Sequence, residues 1–195
     1  MGLLTRRVGL SLAGFSRGLV LALAVVSGLG VTADAVVAQE AGSSVIYLVR
    51  HTEKAVGDPA DPLLSAEGTE RAELVARMLT DVPLANVFST PFRRTLNTAE
   101  PTALAHGLDI TSYDPRSRDE TMALVETLRT TPGHHLVVGH SNTTPDMVEA
   151  LGGDPISPID EEEYDRLYIV TIGPDGVVSS SMIRFGAPFE GAGGA

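Results

Sequence analysis

The chain has 195 residues, enough for one domain with a proper core, and no cysteine, which excludes thiol catalysis and disulfide bonds. Its formal net charge is −11, so it repels nucleic acid and anionic membranes, and any anion site must be a local positive pocket.

The first 38 residues differ from the rest. Arg6, Arg7 and Arg17 precede an apolar stretch of 13 residues, Leu19 to Val31, and then small residues, Ala33-Asp34-Ala35 and Val36-Val37-Ala38. Such a basic start, short apolar middle and small-residue end reads as an export signal, with Thr5-Arg6-Arg7 suiting the twin-arginine type. Cleavage is expected after Ala35 or Ala38. A retained anchor is the alternative, although a spanning helix needs about 20 apolar residues. Cleavage after Ala38 leaves 157 residues with 11 basic and 24 acidic side chains, net −13. The expected product is periplasmic or extracellular, with no stable membrane association. The reading is therefore a signal over 1–38, one domain over 39–185 and a loose Gly/Ala-rich tail over 186–195.

Strand and helix signals then alternate, which predicts a three-layer α/β sandwich on a mostly parallel sheet. Val45 to Val49 is an unbroken apolar, β-rich run, read as a buried strand. It ends abruptly in Arg50-His51-Thr52. A polar loop follows with Gly57, Pro59 and Pro62. Ser65 opens a helix to about Thr80, whose Ala72, Val75, Ala76 and Leu79 form one apolar stripe. Glu67/Arg71 and Glu73/Arg77 are spaced to pair on its outer face.

Asn86 to Ser89 reads as a short strand. Thr90 is then expected to cap a helix with Pro91 at its first position, running to Gly107 and bent near Pro101. His106 falls where a helix dipole favours it. Leu108 to Tyr113 is another strand. Ser117 and Glu120 have capping-box spacing before a helix ending near Thr130. Leu136 to Gly139 is a strand that runs into His140-Ser141-Asn142, with His134 and His135 expected at the surface before it. Gly152-Gly153 stops the next helix. Residues 154–166 form an acidic loop, its run Asp160 to Glu163 expected to be solvated. Leu167–Ile172 and Val177–Ile183, joined by Gly173-Pro174-Asp175-Gly176, predict an antiparallel hairpin.

Two strands thus deliver a histidine at the same end, where open α/β sheets place their chemistry. A third segment puts Arg93 and Arg94 in the first turn of a helix, where free N–H groups favour anions. Guanidinium forks bind phosphate oxygens. The candidate set is Arg50, His51, Arg94 and His140. Arginines beside both histidines argue against a bound cation, and the sequence has neither a glycine-rich phosphate loop nor a His-Glu-x-x-His motif. Arg93 reads as a solvated helix-face residue.

These residues resemble the histidine phosphatase superfamily, the phosphoglycerate mutase-like proteins. The resemblance rests on Arg50-His51-Thr52 after the first strand, on Ser89 with Arg94 four residues before Thr98-Ala99, on Gly139-His140 ending a later strand, and on Leu64-Ser65-x-x-Gly68. It covers roughly residues 44–184, closest to the compact phosphohistidine-phosphatase-like branch. It implies that His51 is a nucleophile that becomes a phosphohistidine, and that Arg50, Arg94 and a charged His140 hold the phosphoryl oxygens. Asn142 and Glu53 join them as substrate-binding candidates, Asn142 equally as a helix cap. No metal or other cofactor is implied, and the partner is a small phosphorylated substrate.

Many members carry a general acid in a loop not found here, or an Asp where Ser141 stands. Glu53, Asp119 and Glu120 are the local candidates, with Glu120 also readable as the capping partner of Ser117 and Glu53 as the partner of Lys54 or an arginine. The reaction expected is hydrolysis of phosphomonoesters or phosphoramidates. The alternatives are a dedicated phosphohistidine phosphatase and a phosphate-binding pseudoenzyme. The sequence sets no physiological substrate and no oligomeric state.

Overall fold

The computed structural model describes residues 42–191. The expected export signal lies outside them, as do residues 192–195. In chain order the elements are β1 (Ser44–Arg50), α1 (Ala66–Met78), β2 (Leu84–Ser89), α2 (Arg93–His106), β3 (Ile110–Ser112), α3 (Arg118–Thr130), β4 (Gly133–Gly139), α4 (Thr143–Ala150), β5 (Arg166–Ile172) and β6 (Val178–Arg184). They form a sheet in the order β3-β2-β4-β1-β5-β6. The first four of these strands pair in parallel, and β5 and β6 close the sheet as an antiparallel hairpin. This is the α/β architecture the sequence predicts.

Strand alternation builds two cores. Ile46, Leu48, Phe88 and Val137 face α3 and α4, meeting Leu124, Leu128, Met147 and Val148. Val49, Val87, Leu136 and Val138 face α1 and α2, meeting Val75, Leu79, Ala99 and Ala103. Each such large side chain contributes about 1.5–3 kcal/mol by leaving water. The whole predicted stripe of α1 is buried.

Several expectations shift at the ends of elements. Ser65 caps α1 as predicted, its hydroxyl accepting from Gly68 N at 3.1 Å, but Arg71 does not pair with Glu67. It reaches Glu53 instead, while Glu73 and Arg77 pair at 3.8 Å. The strand expected over 108–113 is only three residues long. α2 starts two residues later than predicted, with Phe92 as N-cap and no capping side chain of its own. Asp61, from the loop before α1, supplies the missing acceptor to Arg93 N at 2.9 Å.

His134 and His135 are not surface residues before a strand. They lie within β4, and His135 is 1% exposed, with Nδ1 bonded to Asn86 and Nε2 to Thr131 O. His106, in the last turn of α2, bonds Leu79 O at 3.1 Å and ties α2 to the end of α1. The start of the tail is held rather than loose. Phe185 is buried, Phe189 N donates to Asp165 at 3.0 Å, and Arg71 donates to the carbonyls of Phe185 and Ala187.

Adjacency of β2, β4 and β1 fixes where the chemistry emerges. Arg50 stands opposite Gly139 and Ser89 opposite Val138. His51 N continues the ladder to Gly139 O at 2.9 Å. Three neighbouring parallel strands therefore release His51, Thr90 and His140 at one edge of the sheet.

Candidate active site

His51 is 3% exposed at the end of β1. Its Nδ1 lies 2.8 Å from Thr52 O. A carbonyl only accepts, so Nδ1 carries the proton and Nε2 keeps its lone pair. Burial, and then the charges of Arg50, His140 and Arg94, push its pKa down to about 3, against the opposing effect of the Thr52 carbonyl. The imidazole is neutral at physiological pH in the tautomer a nucleophile needs.

The following residue is clamped. Thr52 N donates to Thr98 Oγ1 at 3.1 Å, and Thr52 Oγ1 donates to Gly68 O at 2.7 Å. This gives Thr98 and Gly68 of the sequence motifs their physical work. A Cβ at Gly68 would collide with the Glu53 carbonyl oxygen, because α1 begins hard against that backbone. Gly139 meets the same kind of constraint: a Cβ there would press on the hydroxyls of Thr143 and Thr144 at the start of α4.

Arg50 is 3% exposed and held from three sides. Nη1 donates to Asp160 O at 2.7 Å and Glu163 O at 3.0 Å, Nη2 lies 3.3 Å from Glu161, and the guanidinium stacks 4.3 Å from the Tyr164 ring centroid. Its Nε is buried without a partner.

Arg94, in the first turn of α2, stacks on Phe92 at 4.6 Å and places Nη2 3.4 Å from His140 Nδ1. Arginine only donates, so His140 Nδ1 accepts there and Nε2–H donates to Thr90 Oγ1 at 2.9 Å. Thr90 is thus no helix cap. Its hydroxyl, 2.8 Å from that of Thr95, orients His140. Burial, then Arg94, Arg50 and Arg116, lower the His140 pKa to about 4. His140 is therefore neutral before an anion arrives, not the charged histidine expected, because burial first and then the three guanidinium groups disfavour its charged form. The two histidine rings meet edge to face with centroids 5.5 Å apart.

These side chains line a cavity of about 540 Å³, together with Asn142, Lys54 and Arg116. Ala55, Pro59, Ala60 and Pro62 form one apolar wall, Phe92 and Pro115 another. Asn142 makes no side-chain cap to α4 and so lines the cavity without that second duty. Arg93 lies outside, beside Asp61 and Asp58.

Glu53 lies outside the site. Arg71 takes its carboxylate, with Nε 2.8 and 3.1 Å from its two oxygens, and Glu53 does not line the cavity. Asp119 and Glu120 do not line it either. Glu120 accepts from Asp114 N at 2.7 Å, while Ser117 caps α3 through Glu120 N. In the acidic run Asp160, Glu161 and Glu162 are exposed as expected, and Glu163 is buried. The backbone of the run grips Arg50, and Glu161 and Asp58 are the carboxylates lining the cavity among the described residues. Sequence reading missed Glu161, Thr90, Asp61, Lys54 and Arg116. For Thr90, its place directly beyond a strand end was the available signal. Among the described residues, no group of three His, Cys, Asp or Glu side chains is placed to hold a metal ion.

The depressed histidines carry a stability prediction. The unfolded chain takes up protons at both as pH falls through 6.5, whereas the folded protein resists until about 4 at His140 and about 3 at His51. Their contribution is therefore fully present above 6.5 and is lost as pH falls, at up to about 1.4 kcal/mol per pH unit for each histidine. Urea midpoints measured from neutral pH down to about pH 5 should drop in the wild type and drop less in His140→Gln.

Two arginines and two buried histidines thus meet at one end of a mixed α/β sheet. The model for branch 1 of the histidine phosphatase superfamily matches residues 46–128. His140 lies beyond that match and is joined to the site by the fold. A probable phosphoglycerate mutase GpmB of Escherichia fergusonii is 35% identical over 88 residues, 42% of this chain and 40% of that protein. The match thus spans less than half the length of such curated relatives.

Among solved structures, the protein histidine phosphatase SixA complexed with tungstate has a TM-score of 0.58 at 17% identity, covering 72% of this chain and 96% of its own. A mycobacterial glucosyl-3-phosphoglycerate phosphatase has a TM-score of 0.56 at 12% identity, covering 73% and 98%. At these identities the two structures share the fold.

Proposed function

We propose that this protein is a metal-independent phosphatase that hydrolyses phosphomonoesters or phosphoramidates through a phosphohistidine on His51. The observation that carries this reading is the fixed tautomer: Nδ1–H held by Thr52 O, with an unprotonated Nε2 among guanidinium groups. In the first step the Nε2 lone pair forms a bond to phosphorus while the phosphorus–leaving-group bond breaks, and the leaving group takes its proton from water. In the second step water attacks phosphorus, the N–P bond breaks, and inorganic phosphate leaves with Nε2 again bare. Arg50 and Arg94 balance the charge on the phosphoryl oxygens throughout. His140 is placed to take up a proton at Nδ1 and donate to one of them.

Both cavity carboxylates sit beside cations, Glu161 on Lys54 and Arg50, Asp58 near Arg93. Neither is poised to donate a proton to a poor leaving group. This favours phosphoramidates, acyl phosphates and activated esters as substrates, and it supports the phosphohistidine phosphatase reading over a general alkyl phosphatase. The N-terminal sequence pattern supports action outside the cytoplasm.

The test is hydrolysis of an activated aryl phosphate by purified protein in excess chelator, with a denaturing quench to trap the intermediate. Turnover with an acid-labile phosphoprotein is the expected result. Phosphate binding without turnover would identify a phosphate-binding pseudoenzyme. Transfer of the phosphoryl group to a second hydroxyl in place of water would identify a mutase.

A further inference from the structure

The cavity carries an anion of its own. Glu161 belongs to the loop 154–165, and the backbone on either side of it is fixed. Arg50 holds the Asp160 and Glu163 carbonyls. The Glu163 carboxylate, 2% exposed, accepts from Arg166 Nε and Nη2 at 2.6 Å each and from Arg184 Nη1 at 2.9 Å. The Glu161 side chain between these anchors is 62% exposed and turns back toward the site. One oxygen sits 3.3 Å from Arg50 Nη2 and the other bonds Lys54 Nζ. The distance to Arg50 exceeds the 2.7–2.9 Å of a strong charge-assisted bond. The neighbouring Arg50 Nε has no partner.

We propose that Glu161 is an internal competitor for the phosphoryl group at Arg50, and that substrate displaces its carboxylate from Nη2 onto Lys54. This rests on the phosphatase reading of the site. Two anions cannot share one guanidinium edge without repulsion, so a bound phosphoryl group and Glu161 exclude each other there. The anchored backbone leaves side-chain rotation as the available movement. Lys54 keeps a counter-charge on the carboxylate during that movement, so release costs little. Lys54, with Arg50 and Arg94, also holds the Glu161 carboxyl below its usual range against the effect of partial burial, so the competitor stays ionised at neutral pH. An exposed ion pair is weak. Glu161 therefore sets the affinity for substrate and for product phosphate without blocking the site, and it takes no part in the chemical step.

The test measures inorganic phosphate affinity by calorimetry, and KM and kcat with an aryl phosphate, in wild type, Glu161→Gln, Glu161→Ala and Asp58→Asn. Both Glu161 variants should bind phosphate about three- to tenfold more tightly and lower KM in parallel, with kcat unchanged. Asp58→Asn removes the same charge from the cavity without touching Arg50, and should tighten phosphate binding clearly less than the Glu161 variants do. Phosphate binding that is unchanged or weaker in the Glu161 variants overturns the proposal. So does an equal gain in Asp58→Asn, which would make the effect one of general charge. A large loss of kcat at constant KM would make Glu161 a proton donor and overturn it as well. If the wild type binds phosphate without turnover, the phosphatase reading fails and the calorimetry still decides the role of Glu161. If it binds no phosphate, both fail.

Discussion

Replacing His51 with alanine is expected to lower kcat/KM for an aryl phosphate by on the order of 10³-fold or more, the scale seen when a covalent nucleophile is removed. Phosphate binding should survive, because the groups that would hold phosphate, Arg50, Arg94 and His140, are positioned by contacts that do not involve the His51 ring nitrogens. The pair of outcomes matters more than either alone. Lost turnover with retained phosphate affinity makes His51 the nucleophile. Retained turnover would mean that water or His140 attacks phosphorus directly, and the fixed Nδ1–H tautomer would then serve only to orient the ring. The variant should also lose part of the acid sensitivity of folding, since the most strongly depressed histidine is gone.

The sheet and the centre of the site were legible because their signals are local. The run Val45 to Val49 identifies β1 by composition alone, and the abrupt Arg50-His51 marks its chemical end. Leu136 to Gly139 before His140 repeats the pattern. Ser65 with Gly68 and Ser117 with Glu120 are caps that act over three residues.

What sequence reading missed acts over long separations or against local rules. The acidic run 160–163 looks solvated by composition, yet Arg50 binds its carbonyls across 110 and 113 residues. Glu53 follows the Arg-His motif closely enough to look catalytic, and only folding shows Arg71 claiming it. Thr90-Pro91 has the form of a helix start. The hydroxyl instead serves His140, and the first free N–H of α2 is met by Asp61, 32 residues upstream. His134 and His135 look polar and terminal, but Asn86 and Thr131 satisfy His135 inside the sheet.

Arg50→Ala should produce a double defect that Arg94→Ala does not share. Both variants lose a guanidinium facing the proposed phosphoryl group, and each should cost on the order of 100-fold or more in kcat/KM. The difference lies in what each arginine does when no substrate is present. Arg94 touches Asp61 at 3.5 Å and His140 at 3.4 Å, both long contacts, and stacks on the half-buried Phe92, so its loss should cost less stability than that of Arg50. Arg50 satisfies two backbone carbonyls of the loop 154–165 and stacks on Tyr164. Its removal strands those carbonyls, and an unsatisfied buried group costs about 1–3 kcal/mol. Urea unfolding of the two variants beside wild type checks this: a midpoint well below wild type for Arg50→Ala alone is expected. Equal midpoints would mean that Glu163, gripped by Arg166 and Arg184, holds the loop without help from β1. If the expected difference is found, the loop that carries Glu161 is anchored by the same arginine that Glu161 competes for. Phosphate bound at Arg50 stabilises the folded chain by an amount that grows with the logarithm of its concentration once above Kd, and the phosphate-dependent rise in the urea midpoint of wild type should be smaller in Arg50→Ala, where Arg94 and His140 remain.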